Sequence, residues 1–578
     1  MPKSGSPGSL MEDKDRQCDG KPESNYQVPG EEEDTSGHLH GWRLWVVAIL
    51  ISIVYFIVQV EISIVTTSIV NITQDIGGFV VINSKLSDIL GRKLVFISCI
   101  FFFTAFSGAC AAANTIDQLY VVTIPLSDYL CNIYLYCSLL YSIVFRAFQG
   151  IGGGGSYALG SIMLIQIVPA SEITKMASYS SISFVVATVL GPIIGGGICQ
   201  HTTWRWIFLF NVPIGVFAMV IAMIGIPNGY PHHHKAVKPQ MASFSEMRTR
   251  IDLLGCTLLL LSTLAFASAF QEVNSQFSWD SAYFIALIIA SLLLCALLLL
   301  WERRVAAQNG PREPVLPWRF IVRREMLGTL LYVIPYPLAL VRARIVIKLT
   351  IDIDIRGLFL VGGTVGVTSF QLPQRFQLVN DLDAVGAGAR LLPFGGASTV
   401  GGMLIARAYS IFKTPLVYVI IAGALLQVAG YALLGTIDAA ADIPPQLYGY
   451  EVIAGVGCGI SYLSLFAAVP FAAEKRDHAV GLGISHQFRA LGSALAIAIG
   501  VSIFNGHVIN RLKQLGFSDP GNFVATSAQH QLLSELRDDV RMVLSDGYNS
   551  QMFLLCGFGA AQIFAALLMW KRKQILPA

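Results

Sequence analysis

Charged residues are scarce in this chain, so those that fall inside apolar stretches are where chemistry can occur. Glu61 lies in the apolar run Leu44–Val70, with Gln59 two residues before it and serines and threonines close by. A carboxylate at membrane depth costs at least about 2.5 kcal/mol, so Glu61 should face a water-filled cavity or a partner. Arg146 lies in a second apolar run, Val144-Phe-Arg-Ala-Phe-Gln-Gly150, and its spacing of three from Gln149 puts both on one helix face. Arginine stays charged at any ordinary pH, so a buried Arg146 needs an anion, and Glu61 is the candidate. The plainer alternatives are a carboxylate near the outer interface with no role, and an arginine that snorkels to the interface.

Other chemistry-bearing residues are weaker signals. Lys85-Leu-Ser-Asp-Ile-Leu-Gly-Arg-Lys93 packs three cations and Asp88 into a short connection, which the positive-inside rule places in the cytosol. Gly91 permits a turn there, and Asp88 and Arg92 are four apart, able to pair or to bind a helix end. His486 can titrate, but a core or interfacial histidine is the simpler reading. The adjacent His232–His234 cannot all face one metal from a regular element, so no metal site is assigned. The glycines at 152–155 lack the Lys-Ser/Thr of a phosphate-binding loop and continue as an apolar helix, so they read as close helix packing. The ten cysteines form no CxxC pair and most sit singly in apolar runs, as small core residues do.

The elements that carry these residues follow from composition. Of 578 residues 54% are hydrophobic and 13% charged, and the mean hydropathy is +0.62. Soluble domains run near ~25% charged, so the chain is a polytopic membrane protein embedded in a lipid bilayer. A formal charge of +3 excludes an electrostatic nucleic-acid partner. Within Val186–Gly197, Ala187, Gly191 and Gly195 recur every four residues and present one smooth face to a neighbouring backbone, and Pro192 bends that helix.

These runs resemble a known family. Leu190-Gly-Pro-Ile-Ile-Gly-Gly196, followed by Trp204-Arg-Trp-Ile-Phe-Leu-Phe-Asn-Val-Pro-Ile-Gly215, resembles the fifth-helix antiporter signature of drug:proton exporters in the major facilitator superfamily. Glu61-Ile-Ser-Ile-Val-Thr-Thr67 looks like the acidic first-helix motif of the fourteen-helix branch. The Lys85–Lys93 run resembles the superfamily's loop between helices two and three, with Ser84 where the family usually has its first glycine. Gly481–Gly492 is similar to the same branch at Phe488, Arg489 and Gly492.

The resemblance implies an all-α major facilitator fold of two six-helix halves plus two extra central helices, about 13–14 spans in all. It implies proton coupling at Glu61, Arg146 and Gln149, cytoplasmic gating at Asp88, Gly91, Arg92 and Lys93, and helix packing at Ala187, Gly191, Pro192, Gly195 and Gly196. Phe488, Arg489 and His486 would line the cavity. The implied activity is not enzymatic. It is proton-driven export of small hydrophobic molecules (drugs, toxins or secondary metabolites) by a monomer that needs no cofactor. Fourteen-helix relatives also carry siderophores or, at the vacuole, basic amino acids; the Gly-Pro-x-x-Gly-Gly run favours export, because family importers usually lack it.

The expected organisation is a disordered cytosolic tail over 1–41, without the apolar stretch of a signal peptide and with Pro2 excluding myristoylation. An N-terminal half over 42–228, a cytoplasmic linker over 229–250, two linking helices over 251–304 and a C-terminal half over 305–575 follow, with a polar outside loop over 505–550. Both termini are expected in the cytosol, and the membrane is read as plasma membrane with the vacuolar membrane as alternative. Three stretches depart from the family. Residues 76–84 are too short for a second span, 119–142 add an apolar Tyr-rich piece, and 341–370 open with charges alternating with apolar residues, as an inserted or disrupted piece would. A membrane sensor, or a product that does not transport, is the reading from a different class.

Overall fold

Runs of about twenty apolar residues are stable in hydrocarbon as helices, which satisfy every backbone polar group internally. The computed structural model describes residues 39, 41–66, 91–112, 129–168, 205–228, 230, 252–271, 277, 279–308, 315, 353–412, 414–439, 442–472, 478–516 and 534–568, with separate positions within 83–90 and 176–203. Residues 1–38 and 40 of the expected tail, residues 231–250 of the linker, and residues 119–128 and 341–352 lie outside them. So does the stretch read as too short for a second span, apart from Asn83, which is helical and buried.

The described elements are helices: α1 (Trp42–Thr66), α2 (Arg92–Ala111), α3 (Tyr129–Gln166), α4 (Arg205–Leu209), α5 (Asn211–Gly225), α6 (Leu253–Gln271), α7 (Ala282–Ala307), α8 (Ile353–Leu378), α9 (Ala384–Ala389), α10 (Leu392–Phe412), α11 (Leu416–Leu434), α12 (Gln446–Ala472), α13 (His478–Gln514) and α14 (Ser534–Leu568). Nine stretches among the described residues are long and apolar enough to cross a membrane. Side chains start several of them. Ser281 accepts from the Phe284 N–H at 3.3 Å to cap α7, and Asp383 from the Gly386 N–H at 3.1 Å to cap α9.

The helices form two bundles. In the first, α1 and α2 each pack on α3 and α5; in the second, α10 and α11 pack on α12, α8 packs on α13, and α14 lies against α8, α11 and α13. α6 and α7 pair with each other, and α6 touches α13. Only 11% of the apolar window of α7 is buried against protein, compared with 61% in α1, so α7 turns most of its circumference to lipid. The two bundles meet where α3 touches α13 and α1 touches α8.

Glycine sets the approach distances in the second bundle. A Cβ on Gly455 would run into the Phe394 carbonyl, one on Gly459 into the Ser398 carbonyl, and one on Gly401 into the Val456 carbonyl. α10 and α12 therefore touch backbone to backbone. Gly362 against the Arg489 carbonyl and Gly492 against the Phe359 carbonyl do the same for α8 and α13.

Three segments differ from the sequence reading. The Tyr-rich piece is continuous with the next span, because no glycine or proline interrupts residues 129–149; α3 is 38 residues and about 57 Å long. The stretch expected to be disrupted is helical from Ile353 onwards, and Val361, Thr364, Val367, Thr368, Gln371 and Leu372 are buried at helical spacing. The polar stretch 505–550 is helical over most of its length, as the ends of α13 and α14. Val508 and Leu512 there pack against Val540, Leu544 and Tyr548, a four-residue apolar rhythm inside an otherwise polar stretch.

Substitutions on α12 test the close approach. Gly459→Ala is expected to cost about 1–3 kcal/mol by overpacking. Gly449→Ala on the same helix, where an added Cβ meets nothing within 4 Å, should be neutral or slightly stabilising. Denaturation of the two variants in detergent measures the difference.

Candidate functional site

Glu61 is near the end of α1, 6% exposed, with Arg146 of α3 facing it. Arg146 Nη1 stands 3.9 Å from Glu61 Oε1, and Asn211 Nδ2, at the start of α5, donates to Glu61 Oε2 at 3.0 Å. The carboxylate is thus held by a cation on one oxygen and a neutral amide on the other. At this separation the charge attraction is about 4 kcal/mol at an effective dielectric near 20. The guanidinium carbon of Arg146 lies 4.4 Å over the ring of Phe208, which shields it from lipid and adds a cation–π contact. Asn211 is 1% exposed, and its Oδ1 accepts no hydrogen bond among the described residues, leaving an open acceptor beside the acid.

The partner expected for Arg146 is therefore the partner found. Gln149 is on the expected face but serves a different contact: its Nε2 donates to Ser107 Oγ at 2.6 Å, and Cys110 Sγ donates to its Oε1 at 3.9 Å, tying α3 to α2. Asn211 was in view only as part of a family-like run. The signal that marks it is a lone amide between apolar stretches.

The small-residue helix packs on this cluster. Ala187 is fully buried with Val60, Cys110, Ile207 and Phe208, and Ile194 and Ile198 join them. Gly191 and Gly195 are helical and buried. Pro192 and Gly196 lie outside the described residues. One helix thus touches both the residue before Glu61 and the ring beneath Arg146.

At the opposite end of α2, Gly91 has φ 89°, in the left-handed region, with open space around it; its glycine is needed for conformation and not for packing. Asp88 lies outside the described residues. Lys93 Nζ donates to the Met223 carbonyl at 2.8 Å and to Asn228 Oδ1 at 2.9 Å, so its charge closes the C-terminal end of α5. Arg92 is buried near Tyr230. Burial pushes the Tyr230 hydroxyl well above its usual range, and the Arg92 charge pulls part of the way back.

A third cluster joins the bundles. Tyr55 of α1 stacks on Tyr157 of α3 at 4.2 Å, and the Tyr157 hydroxyl lies 3.4 Å from that of Tyr462 on α12. His486 meets the Tyr157 ring edge-on at 4.9 Å and Phe466 at 5.3 Å, while Arg489 Cζ is 5.6 Å over Tyr157. Arg489 and Tyr462 also line a small cavity with Val361, Ser398, Thr399 and Leu463. His486 and Arg489 are thus together as expected. Phe488 is buried but makes no ring contact among the described residues. The tyrosines were not marked from sequence, since a tyrosine in an apolar run reads equally as core or interface. Among the described residues no group of three or more His, Cys, Asp or Glu side chains is placed to hold a metal, and His232–His234 lie outside them.

Comparison with known proteins fits this arrangement. The family profile of the Major Facilitator Superfamily matches residues 39–275. The "MFS-type transporter FPY5" of Fusarium mangiferae is 29% identical over 92% of this chain and 84% of its own. The "Rubrofusarin-specific efflux pump aurT" of Gibberella zeae is 23% identical over 86% and 83%, and the "Efflux pump FUS6" of Gibberella fujikuroi 24% over 90% and 88%. Among solved structures, the human organic anion transporter MFSD10 (TETRAN) aligns with TM-score 0.51 at 12% identity, over 90% of this chain and 99% of its own. A bacterial homolog to the human lysosomal transporter Spinster aligns with TM-score 0.51 at 13% identity, over 93% and 98%. At such identities these two structures speak for the fold alone.

Removing one member of the ion pair tests it. Arg146→Gln should lower stability in detergent by about 3–5 kcal/mol, the cost of stranding a buried charge. Adding Glu61→Gln to that variant should recover most of the loss. Additive losses in the double variant would mean that the two side chains do not interact.

Proposed function

Because this chain belongs to the Major Facilitator Superfamily, an integral membrane transporter family, we propose that it exports small hydrophobic molecules from the cytosol in exchange for protons. It belongs, in this reading, to the fourteen-helix branch and works in the plasma membrane with both termini in the cytosol. The observation that carries the proposal is the buried Glu61, held between Arg146 and Asn211. A carboxylate with one ionic and one neutral partner has two low-energy states. Ionised, it is paired with Arg146. Protonated, it releases the guanidinium and can turn a hydroxyl towards the open Oδ1 of Asn211.

Each proton that arrives thus changes what Arg146 is attracted to. Arg146 rests on Phe208, and Phe208 packs against Ala187, so a shift of the cation is passed to the small-residue helix. The bend and the smooth face expected of that helix from its sequence are what rocking of the two halves requires. At the other end of α2, the grip of Lys93 on α5 serves as part of the cytoplasmic gate, to which Asp88, Gly91 and Arg92 are also assigned.

The cargo would pass between the bundles, where Tyr55, Tyr157, Tyr462, Phe466 and Arg489 gather and a cavity adjoins them. Aromatic walls suit hydrophobic cargo, and relatives named as efflux pumps, one of them rubrofusarin-specific, support that class. The proton gradient supplies the work, with no cofactor.

In proteoliposomes with an imposed pH gradient, Glu61→Gln should abolish gradient-driven export of a hydrophobic dye that the parent chain carries. Insertion and dye exchange without a gradient should remain. Undiminished, pH-dependent export by that variant would remove Glu61 from the mechanism.

A further inference from the structure

The second bundle holds an acid of a different kind from Glu61. Glu451, in the second turn of α12, is 0% exposed, and neither carboxylate oxygen has a hydrogen-bond partner among the described residues. Leu447, Ala454 and Cys458, at helical spacing before and after it, all belong to the apolar core of the bundle. The same stretch of α12 is clasped on both sides. Gly430 of α11 abuts the backbone of Ala454, and Gly455 abuts the carbonyl of Phe394 on α10. Glu451 therefore sits in a closely packed part of the second bundle, without a hydrogen-bond partner among the described residues.

Among the described residues, the ionisable side chains on the helices packed against α12 are occupied elsewhere or make no bond to Glu451. On α11, Tyr431 bonds Thr368 at 2.8 Å and Cys458 at 3.3 Å, and Tyr418 makes no bond to Glu451. On α8, Arg375 donates to Asn549 Oδ1 at 2.8 Å, Ser545 Oγ at 3.1 Å and the Ile437 carbonyl at 3.3 Å. Before α10, Arg390 donates to the Gly386 carbonyl at 3.4 Å, and Arg407 within α10 makes no bond to Glu451. On α13, His486 and Arg489 stand at Tyr157, and His507, Arg511 and Lys513 make no bond to Glu451. On α12 itself, Tyr448, Tyr450 and Tyr462 are likewise not bonded to it.

An unpaired carboxylate anion in such surroundings is far more costly than the neutral acid, so the group takes up a proton instead. We propose that Glu451 is a second proton-holding site, separate from Glu61, which keeps its proton while α12 is clasped and exchanges it when α10 and α11 part from α12. The two acids then differ in kind. Glu61 can stay ionised because a cation is present, whereas Glu451 is held neutral by the lack of one. Its place in a transport cycle rests on the exporter reading given above; its protonation and exchange do not.

The test is difference infrared spectroscopy of the full chain reconstituted in lipid, recorded across pH and after transfer to D2O. The wild type should show a carboxylic-acid C=O band at neutral pH that is lost in Glu451→Gln and kept in Glu61→Gln. That band should shift in D2O and bleach as the pH is raised. Absence of any band that depends on Glu451 would mean the group is ionised and would overturn the proposal. A band that neither shifts nor titrates would overturn it equally, since it would mark a sealed structural acid. Should Glu451→Gln fail to fold, Glu451→Asp keeps the acid and must move the band without removing it. Because the measurement needs no transport, failure of Glu61 to drive export leaves its outcome untouched.

Discussion

Hydrocarbon offers no hydrogen bonds, and the rest of this structure depends on how that constraint is met. Polar side chains within the spans are not spread evenly but gathered at a few nodes, and the nodes differ between the halves. In the first bundle the node is ionic: Glu61, Arg146 and Asn211, with Gln149 and Ser107 beside it. In the second, a buried cation, Arg375, is held by neutral partners, and a further node carries no charge at all. Gln427 and Gln562 exchange two amide hydrogen bonds of 3.0 Å, and Ser461 and Thr364 complete the set at 2.8 and 3.1 Å. An ionic node can be switched by one proton. A closed amide network has no such handle and serves to lock helices together. Glu451 belongs to none of these nodes.

Packing divides the molecule in the same way. Inside the second bundle, α10 meets α12 and α8 meets α13 with only glycine between the backbones, so these helices approach more closely than side chains would allow. Between the bundles the contacts are side chain to side chain, as with the hydroxyls of Tyr157 and Tyr462 at 3.4 Å. A hydrogen bond of that length is weak, and its net worth is about 1 kcal/mol or less.

The sequence made some of this legible and hid the rest, for physical reasons. Glu61 and Arg146 could be read as candidate partners from the sequence, because a charge in an apolar run needs either a partner or a route to water. Asn211 escaped because an amide at that depth costs less and demands no particular partner. For Gln149 the sequence shows the helix face but not the partner, since spacing along one helix does not say which neighbour faces it. The tyrosine cluster was invisible, as tyrosine has an apolar body that fits any core. The polar ends of α13 and α14 were misjudged by averaging; the rhythm of Val540, Leu544 and Tyr548 survives only when the face is read apart from the whole.

The length of α3 has a consequence for the membrane itself. A bilayer core is about 30 Å thick and helices in structures tilt by at most about 40°. A rod of about 57 Å at that tilt still covers about 44 Å, so α3 reaches into the headgroup layer beyond the core. The sequence of its first part holds Tyr129, Tyr134, Tyr136 and Tyr141, the residue type that favours the boundary between lipid tails and water. The length of α3 therefore bears on how deep in the bilayer, and at what slant, the helix that carries Arg146 can lie.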